Sequence, residues 1–151
     1  MASVVTNKGK FNVLEWAFRK ENIPTVLYLA LITNAVAPVA DTDTKTEVTE
    51  LANGNGYTTG GISVAMDATD FDVLTEDDTN DWSLVQIKDE VWTASGGPIP
   101  ISGTGAYYAI LTDDNATQAN REIICSWDLT GPISVSSGQT LTLQNCELRI
   151  T

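Results

Sequence analysis

The chain has 151 residues, enough for one domain that buries a core without disulfides or metals. Its 20 acidic and 8 basic residues leave a net charge of −12, which repels phosphate backbones, so no direct nucleic-acid binding is expected. It has no histidine, which removes Ser-His-Asp and Cys-His catalysis, His-ligated metals and His proton shuttles, and no apolar run approaches the length of a membrane span.

The opening "MASVVTNKGKFNVLEWAF" lacks a contiguous apolar stretch of the kind a signal peptide needs, so none is expected. Within "KFNVLEWAFRK", residues 10–20, Phe11, Leu14 and Phe18 recur at helical spacing. Val13, Trp16 and Ala17 widen that apolar face, and Arg19 and Lys20 complement the helix dipole in the last turn. Pro24 ends the helix. The aromatic face reads as core or as a subunit contact. Lys8, Lys10, Arg19 and Lys20 are half of all the basic residues, so Lys8, Lys10, Phe11, Trp16, Arg19 and Lys20 are the candidate partner-binding residues. Residues 1–24 are expected to form an arm with a short helix, and 25–151 a single β-rich domain. Deleting residues 1–9 should then leave the domain folded.

"TVLYLALIT", 25–33, has the length and continuous apolarity of a strand buried on both faces. A loop follows around Pro38. Thr44 and Glu47 have capping-box spacing and predict a second short helix, with Leu51 inward and Gly54 at its end. The glycine loop "GNGYTTGG" has no phosphate-binding lysine and does not open a helix, so no nucleotide cofactor is expected.

From residue 61 strands dominate. "GISVAM" places Ile62 and Val64 on one side. Residues 82–94 read as one strand, with Val85, Ile87 and Val91 on one face and Trp82, Leu84 and Trp92 on the other. "GTGAYYAILTDD" is a further strand, and its final Asp113–Asp114 reads as a turn. "REIICSWDLTG" puts Ile123, Cys125, Trp127 and Leu129 on one face, opposite Ile124, Ser126 and Asp128. "QTLTLQNCELRIT" alternates through Leu141 and Leu143, then changes phase to Cys146, Leu148 and Ile150. That change needs a bulge or short turn at Gln144 and Asn145. Turn signals such as "SGGP", "SGTG" and "LTGP" separate the strands. The expected fold is mainly β: an antiparallel β-sandwich or jelly-roll-like domain with one or two short helices in its N-terminal third.

"DFDVLTEDDTNDW", 70–82, concentrates six carboxylates without a basic residue. An EF-hand loop starting at Asp70 has Leu74 and Asp81 at its fifth and twelfth positions; one starting at Asp77 has Trp82 at the glycine position. Both fail. A solvated acidic turn between strands comes first, and a cation site built from Asp70, Asp72, Asp77, Asp78 and Asp81 second. A glycosidase-like carboxylate pair is a distant third. Cys125 and Cys146 read as reduced core thiols.

"LALITNAVAPVADT", "GNGYTTGGISV", "VWTASGGPIPISGTGAYYAILTDD", "IICSWDLTG" and "SVSSGQTLTL" together resemble small virion structural proteins of tailed bacteriophages. The resemblance covers nearly the whole chain and consists of turn-and-strand patterns without chemistry. It implies no enzymatic activity, no catalytic residue, no cofactor and no metal. It implies a capsid decoration (cement) protein on the virion surface, made in the host cytoplasm, that bridges and stabilises major capsid protein subunits. A lattice joint implies self-association as a trimer or dimer, and no membrane is involved. A tail, head-fibre or baseplate component is the alternative within the virion. A carbohydrate-binding or depolymerising module using Trp82, Trp92 and Trp127 with the acidic loop is the alternative from another class, and it needs an exposed coplanar pair.

Overall fold

In the computed structural model, residues 3–33 and 36–150 are described, so Asn34 and Ala35, which open the expected loop before Pro38, lie outside the described residues. The apolar run after Pro24 forms β2 (Val26–Ile32), whose residues from Leu29 onward are all buried. It is a central strand: β7 (Ala106–Thr112) pairs along one side and β3 (Ile62–Ala65) along the other, both antiparallel. β8 (Ile123–Ile133) follows β7, and β1 (Ser3–Val5) closes the edge, giving the order β1-β8-β7-β2-β3. The N-terminal segment is therefore more than an arm. Val5 sits opposite Cys125, and the buried Thr6 takes the Ile124 carbonyl with its backbone N–H at 3.0 Å. Deleting residues 1–9 would strip an edge strand from the main sheet.

The stretch 82–94 is two strands, not one. β5 (Trp82–Ile87) and β6 (Glu90–Thr93) are separated at Lys88–Asp89. Opposite them run β9 (Thr140–Leu143) and β10 (Cys146–Ile150), separated at Gln144–Asn145, where the sequence phase change placed a break. β5 pairs with β10 and β6 with β9, so one antiparallel ribbon is interrupted at the same level on both sides. Gln144 Nε2 donates to Asp89 Oδ2 across the gap at 2.8 Å, and Asn145 supplies a left-handed backbone, φ 57°. The interruption reverses the side-chain phase. Ile87 and Trp92 both reach the core while Val91 turns outward, which a continuous strand forbids. β4 (Val73–Asp77) adds to the outer side of β5.

The main core lies between the five-stranded sheet and this ribbon. Leu27, Leu29, Leu31, Leu111, Cys125 and Trp127 meet Ile87, Trp92, Leu141, Leu143 and Cys146 there. A smaller cluster of Ala30, Ile32, Ile110 and Ile123 covers the sheet's other face. Ile123 belongs to that second cluster, not to the Cys125 face. Leu111 pairs with Cys125 and Thr112 with Ile123, so Ile124 is an extra residue that flips the phase. The "LTGP" turn signal falls inside β8, where Thr130 (φ 62°) and Gly131 absorb a second irregularity against β7.

The second expected helix shrinks to one 3-10 turn, Lys45–Glu47. Glu47 Oε1 accepts the Thr44 N–H at 2.9 Å, as the spacing predicts. Residues beyond it leave the helix because β2 recruits their backbone: Thr33 N–H donates to Thr49 O and Leu51 N–H to Leu31 O. Leu51 is fully buried, as expected, whereas Gly54 forms a turn with Tyr57 instead of ending a helix. Among the described residues no helix is long and apolar enough to cross a membrane.

Candidate interaction surface on the N-terminal helix

The segment around Phe11 folds as an α-helix, α1 (Asn7–Leu14), that runs directly into a π-helical turn, Glu15–Arg19. Thr6 starts it. Its backbone is extended and its hydroxyl accepts the Gly9 N–H at 2.8 Å. The turn ends at Lys20, whose N–H reaches the Glu15 carbonyl at 3.0 Å and whose backbone is left-handed, φ 59°. Pi-helical turns insert a residue into the helical register and often mark functional sites.

The helix docks on β8 through its small and polar side. Gly9 and Asn12 are its buried residues, and Trp16 packs partly against the core. A methyl group at Gly9 would stand 2.1 Å from the Ile124 carbonyl oxygen, so only glycine allows this approach. The consequence lies on the opposite side. Phe11 is 51% exposed, Leu14 58% and Phe18 81%. The apolar stripe expected to be core or contact is not core. Beside it, Val5, Lys10, Val13, Leu14, Leu148 and Ile150 line an apolar groove of about 210 Å³.

The basic candidates surround this stripe with different degrees of engagement. Lys8 is ion-paired to Glu122 at 3.0 Å and lies over the Phe11 ring at 5.1 Å. Arg19 pairs with Glu21 at 2.8 Å, both exposed. Lys10 and Lys20 are exposed. Residues 1–20 contain half of the chain's basic residues and, as Glu15, one of its 20 acidic ones. The surface therefore combines exposed apolar area with local positive charge on an acidic molecule. Neighbouring exposed apolar side chains of this kind are a mark of interaction sites.

The five acidic candidates are not gathered into one site: Asp77, Asp78 and Asp81 line a common cavity at the β4–β5 hairpin tip, and Asp70 and Asp72 lie outside it. Asp70 is buried at the base of the β4–β5 hairpin, where it is ion-paired to Lys88 and takes the Ala65 N–H at 2.7 Å. The hydrogen bond from Lys88, with that from Ala65, holds its carboxyl below the usual carboxylate range. Asp77 is at the hairpin tip, accepting Thr79 and Asn80 N–H groups at 2.9 and 3.0 Å and the Asn80 side-chain amide at 2.8 Å; its pKa is lowered, chiefly by that amide. Asp72, Asp78 and Asp81 are exposed. The acidic stretch is a strand and a solvated turn, with Asp70 as its one buried member. Among the described residues no group of three or more Cys, Asp or Glu is arranged to hold a metal ion.

Trp92 and Trp127 are buried, and Trp127 donates its indole N–H to the Glu147 carbonyl at 2.8 Å. Trp82 is partly exposed and covered by Arg149, whose guanidinium carbon is 4.6 Å from the ring centroid. These three do not form an exposed coplanar pair. Cys125 and Cys146 are free, buried thiols. Burial pushes Cys146 up to about 12, and burial together with its neighbour Cys146 pushes Cys125 well above the ordinary thiol value. Neither is poised as a thiolate nucleophile.

Sequence reasoning placed the stripe but not its direction. Thr6, Gly9 and Asn12, spaced by three along the other side, were the signal that a small and polar face packs inward. No protein-family model, curated protein or solved structure matches this chain.

Proposed function

We propose that this chain is a non-enzymatic structural protein of a tailed-bacteriophage virion: a capsid decoration protein that bridges and stabilises neighbouring major capsid protein subunits. The observation that carries the proposal is the outward apolar stripe Phe11, Leu14 and Phe18, set among basic residues on an acidic molecule. Such a face is costly to leave in water and has no use within the chain. Seated on an apolar, acidic patch of the capsid protein, it gains both burial and charge complementarity. Stabilisation follows by mass action, because a protein that binds only the assembled lattice shifts the equilibrium toward it. Copies meeting at a symmetric joint would be related by a twofold or threefold axis.

The fold suits this role. The sheet and the β5/β6–β9/β10 ribbon lie on either side of one core, which we read as a sandwich, and the chain as a whole is acidic. Cryo-electron microscopy of virions tests the proposal. Density for this chain at joints between capsomers, with α1 toward the capsid shell, supports it. Finding the chain at the tail or baseplate, or absent from the particle, contradicts it.

A further inference from the structure

On the other side of Phe11 from the apolar groove lies a polar cleft of about 440 Å³, lined by Phe11, Asn12, Glu15, Trp16, Asp113 and Glu122 among others. It lies between the continuous α1–π-helical segment and the loop that joins β7 to β8. One of its charges is already settled. Glu122 holds Lys8 at 3.0 Å with one oxygen and the Asn12 amide at 2.8 Å with the other.

Lys8, Asn22, Asn115 and the Trp16 indole also line the cleft, and three further lining groups, Asp113, Glu15 and Asn12, keep an acceptor oxygen unfilled among the described residues. Asp113 Oδ1 takes the Glu122 N–H at 3.0 Å and the Asn115 N–H at 3.3 Å, while Oδ2 has no hydrogen bond or ion pair among the described residues. Glu15 Oε2 takes the Asn22 amide at 3.3 Å, and Oε1 has no partner among the described residues. Asn12 is 4% exposed, and because its amide nitrogen is committed to Glu122, its carbonyl oxygen is oriented and without a donor among the described residues. Burial, helped by the neighbouring Glu122 and Asp114 charges and opposed by the two backbone hydrogen bonds, raises the Asp113 pKa. The buried Asn12 oxygen costs free energy unless a donor reaches it, and Asp113 and Glu15, both only partly buried, leave a carboxylate oxygen open beside it.

We propose that this cleft receives the guanidinium group of an arginine from a partner polypeptide. Planar guanidinium presents five N–H donors and no acceptor, which suits a cleft lined by three unfilled acceptors. The Trp16 ring lines the cleft and supplies a face for stacking, whereas Phe11 already carries Lys8 over its ring. An ammonium has fewer donors and no plane to stack. The chain uses the same chemistry internally: Arg121 lies 3.6 Å from the Tyr28 ring centroid and donates to the Gly60 carbonyl at 2.9 Å. The inference goes beyond the virion reading and stands apart from it, because it concerns what the cleft binds, whatever protein carries the arginine.

The test is a titration of the isolated full chain with N-acetyl-arginine amide, followed by NMR of the Trp16 indole and the Asn12, Asn22 and Asn115 side-chain amides. Saturable shifts of these signals are expected, with neutral N-acetyl-citrulline amide giving none. Asp113→Asn and Glu15→Gln should each weaken binding about tenfold, the worth of one charge-assisted hydrogen bond. Their backbone spectra report whether each variant keeps the native fold, and either folded variant suffices. No saturable shift at a few tens of millimolar, equal binding of citrulline amide, or shifts centred on the β4–β5 hairpin would overturn the proposal.

Discussion

Glu50 and Phe18 break the same rule in opposite directions: one is a carboxylate inside the protein, the other a phenyl ring outside it. Around Glu50 the explanation is internal. Its side chain pairs with Lys45 at 2.5 Å, with both side chains under 10% exposed. The same carboxylate accepts the Tyr57 hydroxyl at 2.7 Å and the Gly60 N–H at 2.6 Å, and Tyr57 in turn accepts the Leu31 N–H at 3.0 Å. Burial and the Glu50 charge both push the Tyr57 hydroxyl pKa far up, so it stays a neutral donor. Every charge there is answered by another group of the chain. Around Phe18 nothing in the described chain answers the exposed apolar surface. A misplaced group with internal partners is structure; one without them points to a partner outside the chain.

The sharpest way to break this contrast is Glu50→Ala. It leaves Lys45 charged and buried and removes the acceptor of Tyr57 and Gly60, so unfolding in denaturant should show a loss of about 3–5 kcal/mol. Adding Lys45→Met should restore part of it, since an apolar replacement of a whole buried pair is often neutral. Little loss in the single variant would mean that the pair is not integral to the fold.

Gly9→Ala comes next. It sets a methyl group against the β8 backbone, and overpacking of this kind costs about 1–3 kcal/mol, offset in part by the better helix propensity of alanine. The unfolding midpoint should fall, and the Trp16 environment should change because α1 is pushed off β8. An unchanged midpoint would show that α1 is not held against the Ile124 carbonyl at Gly9.

A smaller, pH-dependent effect is expected at Asp70. Its folded pKa lies below the ordinary value, so its contribution is fully present above the unfolded pKa of about 4 and fades as pH falls toward the folded value. Asp70→Asn should lower the thermal midpoint at neutral pH, and the gap to the native chain should close in acid. A gap that is constant with pH would assign the effect to packing instead of charge.

Which parts of this contrast were legible in sequence follows from the range of the forces involved. Local patterns carried far: the strand at 25–33, the break at Gln144–Asn145, the buried Leu51 and the Thr44–Glu47 contact all come from spacing within a few residues. The break at Lys88–Asp89 was hidden because Val85, Ile87, Trp92 and their neighbours alternate plausibly straight through it. The Ile124 bulge was hidden because both faces of β8 are apolar there. The Glu50 network joins residues 31, 45, 50, 57 and 60, and nothing local selects those partners. For α1, periodicity identified the apolar stripe but not which side meets the protein; that was decided by the close approach that Gly9 permits.

The smallest expected effect on stability is the one that matters most for function. Phe11→Ser, Leu14→Ser and Phe18→Ser alter exposed residues, so each should change folding free energy by no more than about 0.5 kcal/mol. The decisive measurement is the copy number of the triple variant on particles assembled in place of the native chain, with its unfolding midpoint determined in parallel. The proposed role predicts a native midpoint and near-complete loss from the particles. A native midpoint with normal copy number would contradict it.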